Sequence, residues 1–412
     1  MPKTRILIVC QHFWPESFRI NDIADFFVKE KSCDVDVLCG LPNYPTGRFP
    51  KGYGYFKNRT QKYKGINIRR ALEIPRGSNS NVRIFLNYIS FPITSLFHVP
   101  RLLLKKYDKI FIYQLSPVMM SIAGILVGKI RRTEITMYVL DLWPENLYSV
   151  LDIKNRILRK MLTSLSYWHY RHVDKIIALS ESMKHHLIHK VGVPENRVTV
   201  IPQAAEKIYE KNIYDKTLAR RFRNGFTILY AGNISPAQSF GTIIQAAKRL
   251  RSEGLKDINW VIVGDGMSRK EVEQAVKNEG LTDIFYFEGH KPVEAMPRYN
   301  YHADLLIGCL VKSKLLEATI PAKVMSYIAA GRPIVLAMDG EVRNLINSTI
   351  RCGFAGPTCD PVQLSENIKK LYSLSSNQRK EFGENAKSYH FQNFERNILL
   401  NKMFSFILEK RE

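Results

Sequence analysis

Lys323 lies in TIPAKVMSYIAAGRPIVLA, which begins at Thr319. Val324, Met325, Ile328 and Ala329 recur at helical spacing, Pro321 suits a first-turn position, and Gly331 and Pro333 stop the run. Lys323 is therefore predicted in the first turn of a helix, where free backbone amides already favour an anion, so a lysine there points to phosphate. A lysine in that position is also common on plain solvated surface, and the neighbours have to decide. AGNISPAQ carries Gly232 at a strand-to-helix turn whose amides would cradle a phosphate, with Asn233 and Gln238 as uncharged donors. Two amide-rich helix ends and one cation make a host for a diphosphate. Asp265 in VGDG and His290 in GHKP fall at equivalent strand ends. Read structurally they close a turn and fill a loop; read functionally they border a nucleotide. Neither GxGxxG nor a Walker A motif is present.

The first half offers a different set. YVLDLWPEN ends a predicted strand in Asp141, followed by Trp143, Glu145 and Asn146. Asp141 is read either as an N-cap with Trp143 as core anchor, or, with Glu145, as a carboxylate holding sugar hydroxyls. QHFWPES ends another strand with His12 and Glu16, which suit acceptor hydroxyls as well as they suit an aromatic loop closing over a core. Ser116, before Pro117, marks a further strand end.

These residues need strands to carry them. In the first half, strands are predicted at Arg5–Cys10, Asp34–Cys39, Lys109–Tyr113, Thr136–Leu140, Lys175–Leu179 and Val198–Ile201, separated by helical patterns, which argues for a mostly parallel sheet. Pro42–Ser80 reads as a long loop containing a short hairpin. After a charged stretch the rhythm restarts with FTILYAG, NWVIVGDG, IFYFEGH, ADLLIGCL and PIVLAM. The expected architecture is α/β, with two doubly wound Rossmann-like domains facing across a cleft. Residues 1–203 form the first domain, 204–223 a linker and 224–375 the second domain; a terminal helix in 376–412 crosses back.

Composition narrows the function. Six cysteines show no paired spacing and no histidine cluster, so no metal site is expected and the thiols read as buried and reduced. The start of the chain reads as a first strand rather than a signal peptide. A formal charge of +23 calls for an acidic partner, and Arg48–Lys106 holds 13 Lys/Arg against one acidic residue, Glu73. With no zinc-finger, RNP or helix-turn-helix pattern, nucleic acid is not expected. Ile84–Pro100 is uncharged and rich in Phe, Leu, Ile and Tyr, and Arg83, Arg101, Lys105 and Lys106 flank it. Charge plus apolar side chains predicts peripheral contact with an anionic membrane surface, against the plainer reading of a packed segment beside a solvated basic loop.

The series AGNISPAQ, VGDG, FEGH and IPAKVMSYIAAGRPIV, with DGE at 339 to 341 and CGFAGP at 352 to 357, resembles the family 4 glycosyltransferases of the GT-B fold. QHFWPES and LDLWPEN are similar to the bacterial branch that transfers N-acetylated deoxyamino sugars in O-antigen or capsule assembly, such as the L-fucosamine transferases. The resemblance implies a UDP-sugar donor, a polyprenyl-diphosphate-linked saccharide acceptor, retention of anomeric configuration and no bound metal or other cofactor. It implies that Gly232 is the glycine of the donor phosphate loop and that Lys323 belongs to the branch's proline-small-lysine element. Asn233 and Gln238 stand where many relatives carry Arg and Lys, and Ser326 stands where many carry a glutamate for the ribose or donor sugar. The expected roles are thus Lys323, Asp141, Glu145 and His12 in catalysis, Gly232, Asn233, Gln238, Asp265, His290, Lys323 and Ser326 at the nucleotide, and Glu16, Ser116 and Asn146 at the acceptor. A non-hydrolysing sugar-nucleotide epimerase and a binding-only module remain as alternatives.

Overall fold

Strands such as RILIVC and FTILYA are apolar on both faces, so each needs helices above and below it, and a parallel sheet with helical crossovers supplies that cover. The computed structural model describes residues 3–77, 81–150, 155–222 and 225–409 and divides the chain into two compact units. One comprises residues 1–201 with the terminal stretch from Leu400; the other comprises Pro202–Leu399.

The first unit holds an eight-stranded sheet in the order β3-β4-β2-β1-β5-β6-β7-β8. Its strands are β1 (Arg5–Cys10), β2 (Asp34–Cys39), β3 (Thr60–Tyr63), β4 (Ile66–Arg70), β5 (Lys109–Gln114), β6 (Ile135–Val139), β7 (Lys175–Ala178) and β8 (Val198–Val200). All pairings are parallel except β3 with β4. The hairpin expected within Pro42–Ser80 is therefore part of the sheet, with β4 docking on β2 from Asp36↔Asn67 to Cys39↔Arg70. Helix α1 (Arg19–Lys29) lies between β1 and β2, and α2 (Asn81–Leu96), α3 (Val99–Leu103) and α4 (Ile122–Arg131) follow in order.

Helix α2 is built inside out. Its buried face is Asn87, Phe91 and Ser95, while Val82, Phe85, Leu86, Ile93 and Leu96 are exposed. Packing inside the domain thus accounts for only one stripe of the uncharged segment. Among the described residues no helix is long and apolar enough to cross a membrane.

The second unit holds a six-stranded parallel sheet, β11-β10-β9-β12-β13-β14, of β9 (Phe226–Ala231), β10 (Ile258–Val263), β11 (Phe285–Gly289), β12 (Leu305–Cys309), β13 (Ile334–Ala337) and β14 (Gly353–Gly356). Strand β14, GFAG, has no apolar run to announce it; glycine is needed because a Cβ at Gly353 would stand 1.8 Å from the Ile334 carbonyl oxygen. The terminal helical stretch is broken into Ser376–Tyr389, a π-helical turn and Arg396–Leu408. Residues 376–399 group with the second unit, and only from Leu400 does the chain rejoin the first. There the Phe404 ring meets Phe27 at 5.5 Å, and Lys175 Nζ donates to the Phe406 carbonyl at 2.9 Å.

Candidate active-site residues in each unit

In an open parallel sheet, ligands bind beyond the carboxyl ends of the strands where the strand order reverses. In the second unit that point lies between β9 and β12. Gly232 follows β9, and Lys323 lies at the start of helix Ala322–Ala330, which leads from β12 to β13. Tyr327, one turn after Lys323, locks the helix in place. Its hydroxyl accepts from the Ala231 amide at 2.9 Å and reaches the Ile307 carbonyl at 3.1 Å, tying the helix to β9 and β12. Lys323 is thereby held over Gly232. The glycine adopts φ +147°, and a Cβ there would stand 2.8 Å from Lys323 Cε.

The Lys323 ammonium donates to Gln238 Oε1 at 2.6 Å and lies 3.6 Å from the centroid of the Tyr230 ring. No carboxylate pairs with it among the described residues. Lys323 as a residue retains some exposure, but protein atoms crowd its ammonium, and that burial pushes the pKa down to about 7. No side chain caps the helix start at Pro321. One desolvated cation and an uncapped helix start on a glycine turn leave a place for an anion.

The other expected nucleotide residues are spread along the same carboxyl edge. Asn233 is exposed, and Asp265 Oδ1 accepts from the Gly266 amide at 2.8 Å, closing its own turn. His290 is exposed after β11. Ser326 is buried and donates to the Ala322 carbonyl of its own helix at 3.2 Å. Tyr230 and Tyr327 were not singled out from the sequence, since a tyrosine in a strand and another in a helix read as ordinary core.

In the first unit the strand order reverses between β1 and β5. His12 and Glu16, after β1, form a pair at 2.9 Å from Nδ1 to Oε2, and both are buried. The other Glu16 oxygen accepts from the Asn43 and Tyr44 amides at 2.7 and 2.6 Å, clasping the loop after β2. The His12 ring stacks on Phe18. Beyond β5 and β6, Asp141 Oδ2 accepts from both the amide and the hydroxyl of Ser116, and Trp143 Nε1 donates to that same hydroxyl at 2.8 Å. Asp141 is not the N-cap of the next helix, which starts at Glu145; its carboxylate bridges two strand ends instead. Glu145 turns away, with Oε1 3.2 Å from His186 Nε2. The side chain of Asn146 lies outside the described residues.

The largest surprise is Glu73. This fully buried carboxyl uses one oxygen to accept from Gln11 Nε2 at 2.9 Å, Asn43 Nδ2 at 3.1 Å and Asn87 Nδ2 at 2.6 Å. Three amides replace the basic partner that its cation-rich segment suggests. Its second oxygen has no hydrogen-bond partner among the described residues and faces Gly40, where a Cβ would fall 1.7 Å from it. Burial pushes the pKa up to about 7, against the pull of His12 and the amide donors. The sequence signal was its isolation as the lone acidic residue between Arg48 and Lys106. Its amide partners, Asn43 and Asn87, gave no signal.

Residues 219–389 match the family "Glycosyl transferases group 1", and residues 29–206 match "Glycosyltransferase Family 4". The chain is a glycosyltransferase of the GT-B fold. This glycosyltransferase is 26% identical to the 2-deoxystreptamine glucosyltransferase of Streptomyces kanamyceticus over 50% of its length and 57% of that protein. It is 23% identical to the putative colanic acid biosynthesis glycosyl transferase WcaI of Escherichia coli K12, over 81% of this chain and 83% of that one. Among solved structures, Anabaena HepE in complex with UDP and glucose superimposes with a TM-score of 0.70 at 16% identity, covering 98% of each chain. Of the readings left open by the sequence, the transferase is the one these matches favour over the epimerase.

Proposed function

We propose that this glycosyltransferase moves an N-acetylated deoxyamino sugar, such as N-acetyl-L-fucosamine, from a UDP-sugar to a saccharide carried on polyprenyl diphosphate in O-antigen or capsule assembly. The transfer retains anomeric configuration, uses no resident metal ion, and takes place at the cytoplasmic face of a membrane. The observation that carries the donor half is Lys323, a desolvated cation without a carboxylate, held over Gly232 at the point where the strand order reverses. The diphosphate of the donor would lift the ammonium from Gln238 and Tyr230 and take over its charge. As the bond from the anomeric carbon to the diphosphate oxygen breaks, negative charge grows on that oxygen, and Lys323 with the neighbouring amides stabilises it. The acceptor oxygen forms its bond on the same face, and its proton passes to the departing diphosphate. No carboxylate nucleophile is needed for this course, in contrast to a double displacement. His12, Glu16, Asp141 and Ser116 shape the acceptor side of the reaction. WcaI, named for colanic acid biosynthesis, supports the polysaccharide setting, and HepE, solved with UDP, supports the donor.

Incubation with a panel of UDP-sugars and a lipid-diphosphate saccharide tests the whole reading. Transferred sugar of unchanged anomeric configuration in the presence of a chelator is the expected product. Isomerisation without acceptor, inverted product, or binding without turnover would each overturn it. Gly232→Ala tests the donor half separately. The methyl group meets Lys323 Cε and requires a strained backbone, so UDP affinity by titration calorimetry is expected to fall at least tenfold, with a stability loss of about 1–3 kcal/mol. Unchanged UDP affinity in a folded G232A protein would remove the diphosphate from this glycine turn.

A further inference from the structure

Burial, and after it the charges of Arg69, Arg59 and Arg101 in the first unit, push the pKa of His98 at the junction of α2 and α3 down to about 4. None of the arginines is paired with a carboxylate among the described residues, and among them the buried Arg59 Nε has no hydrogen-bond partner. The acid that lines the cleft is already committed: Asp36 accepts from Lys105 Nζ at 2.6 Å, from Tyr107 at 2.9 Å and from Asn67 at 2.9 Å. Asp36 therefore spends its hydrogen bonds on Lys105, Tyr107 and Asn67 and reaches Arg69 only through its charge. Arg69, Arg101 and Lys105 line a cleft of about 50 Å³ together with Thr60, Asn67 and Asp36. Arg69 is itself destabilised as a cation, first by burial and then by Arg101. Like charges held together beside one carboxylate that is already bonded elsewhere mark a place for an anion.

The surroundings name the source of that anion. Phe97 and Leu104, 80% and 83% exposed, flank His98 and Lys105 in sequence, and Leu96 adds to them. A free anion has no use for these side chains, whereas an amphiphile with an anionic headgroup satisfies both parts. We propose that Arg59, Arg69 and Arg101 form a headgroup-phosphate site for an anionic phospholipid, with Phe97 and Leu104 entering the acyl region beside it. This rests on the peripheral-membrane reading above and fixes where the contact is made, including Arg59 and Arg69 from the hairpin that leads into β4.

Sedimentation with phosphatidylglycerol-containing vesicles at low salt tests it on the full chain. Two basic residues at a bilayer surface contribute about thirtyfold to partitioning, so R69Q/R101Q is expected to bind about thirtyfold more weakly. F97S/L104S should lose most of its binding as well, while the exposed pair K270Q/K277Q of the second unit should stay within about threefold of wild type. Circular dichroism melting confirms that each variant is folded. If the wild type ignores anionic vesicles, the membrane reading and this site fall together. If it binds and R69Q/R101Q binds equally well, only this site falls. A defect in R69Q/R101Q that F97S/L104S does not share would mean that surface charge alone makes the contact, with no entry into the acyl region, and loss of duplex oligonucleotide binding in R69Q/R101Q with vesicle binding intact would mean nucleic acid. Either outcome overturns the proposal.

Discussion

Lys323→Ala is expected to lower turnover by roughly ten- to a thousandfold, the range for removing one donor from a developing oxyanion. The substitution deletes a cation that has no counterion in the free protein, so the fold should be indifferent or slightly relieved. The pH profile gives a second readout. In the free protein, burial holds the Lys323 pKa down to about 7. The parameter kcat/KM reports the free protein, so it should fall as pH rises through that value and the ammonium loses its proton. Bound diphosphate raises the pKa again, so the fall in kcat should come at higher pH. K323A should show neither limb as wild type does. Full activity in a folded K323A protein, or an unchanged alkaline limb, would take Lys323 out of the reaction.

Glu73→Ala is expected to be the most damaging single change in the first unit. Gln11, Asn43 and Asn87 would each lose one of their buried hydrogen bonds, at a combined cost of about 3 kcal/mol. Glu73→Gln keeps an acceptor oxygen and should be tolerated far better. It also carries a signed pH test. Because the folded pKa lies near 7 and the unfolded one near 4.3, the protonated carboxyl's stabilisation is complete below about pH 4.3 and declines until about pH 7, where it is lost. E73Q cannot titrate, so it should gain on wild type by on the order of 1 kcal/mol per pH unit between about pH 5 and 7. Hydrogen exchange in β1 and β2 resolves this for the first unit. A constant difference between E73Q and wild type across that range would show that Glu73 is ionised throughout.

The parallel strands were legible because burial on both faces leaves an apolar run with little else to be. Arg5–Cys10 and Asp34–Cys39 were found to the residue for that reason. Strand β14 escaped because a strand that touches its neighbour through Gly353 carries no such run. Lys323 was legible through its helix signals, but the reason it sits where it does, the Tyr327 hydroxyl bridging β9 and β12, is a tertiary fact without a local trace. His12 with Glu16, and Asp141 with Ser116, were marked by strand ends. What each touches depended on loops brought together from distant parts of the chain. Glu73 shows the limit most plainly: charge counting found it, yet charge predicts an arginine partner, and the fold supplied three neutral amides.

Helix α2 faces two ways at once. Asn87 on its inner side is shared by Glu73, Asn43 and the Ile74 carbonyl, so a rotation that tucked Phe85 or Leu86 inward would break the carboxyl's strongest support. These bonds hold the helix with its oily stripe outward. A formal charge of +23 sets such molecules to repel one another in water. Salt screens that repulsion. Added salt is therefore expected to promote self-association while it weakens the lipid contact proposed above, and colloidal behaviour becomes a property of one buried asparagine.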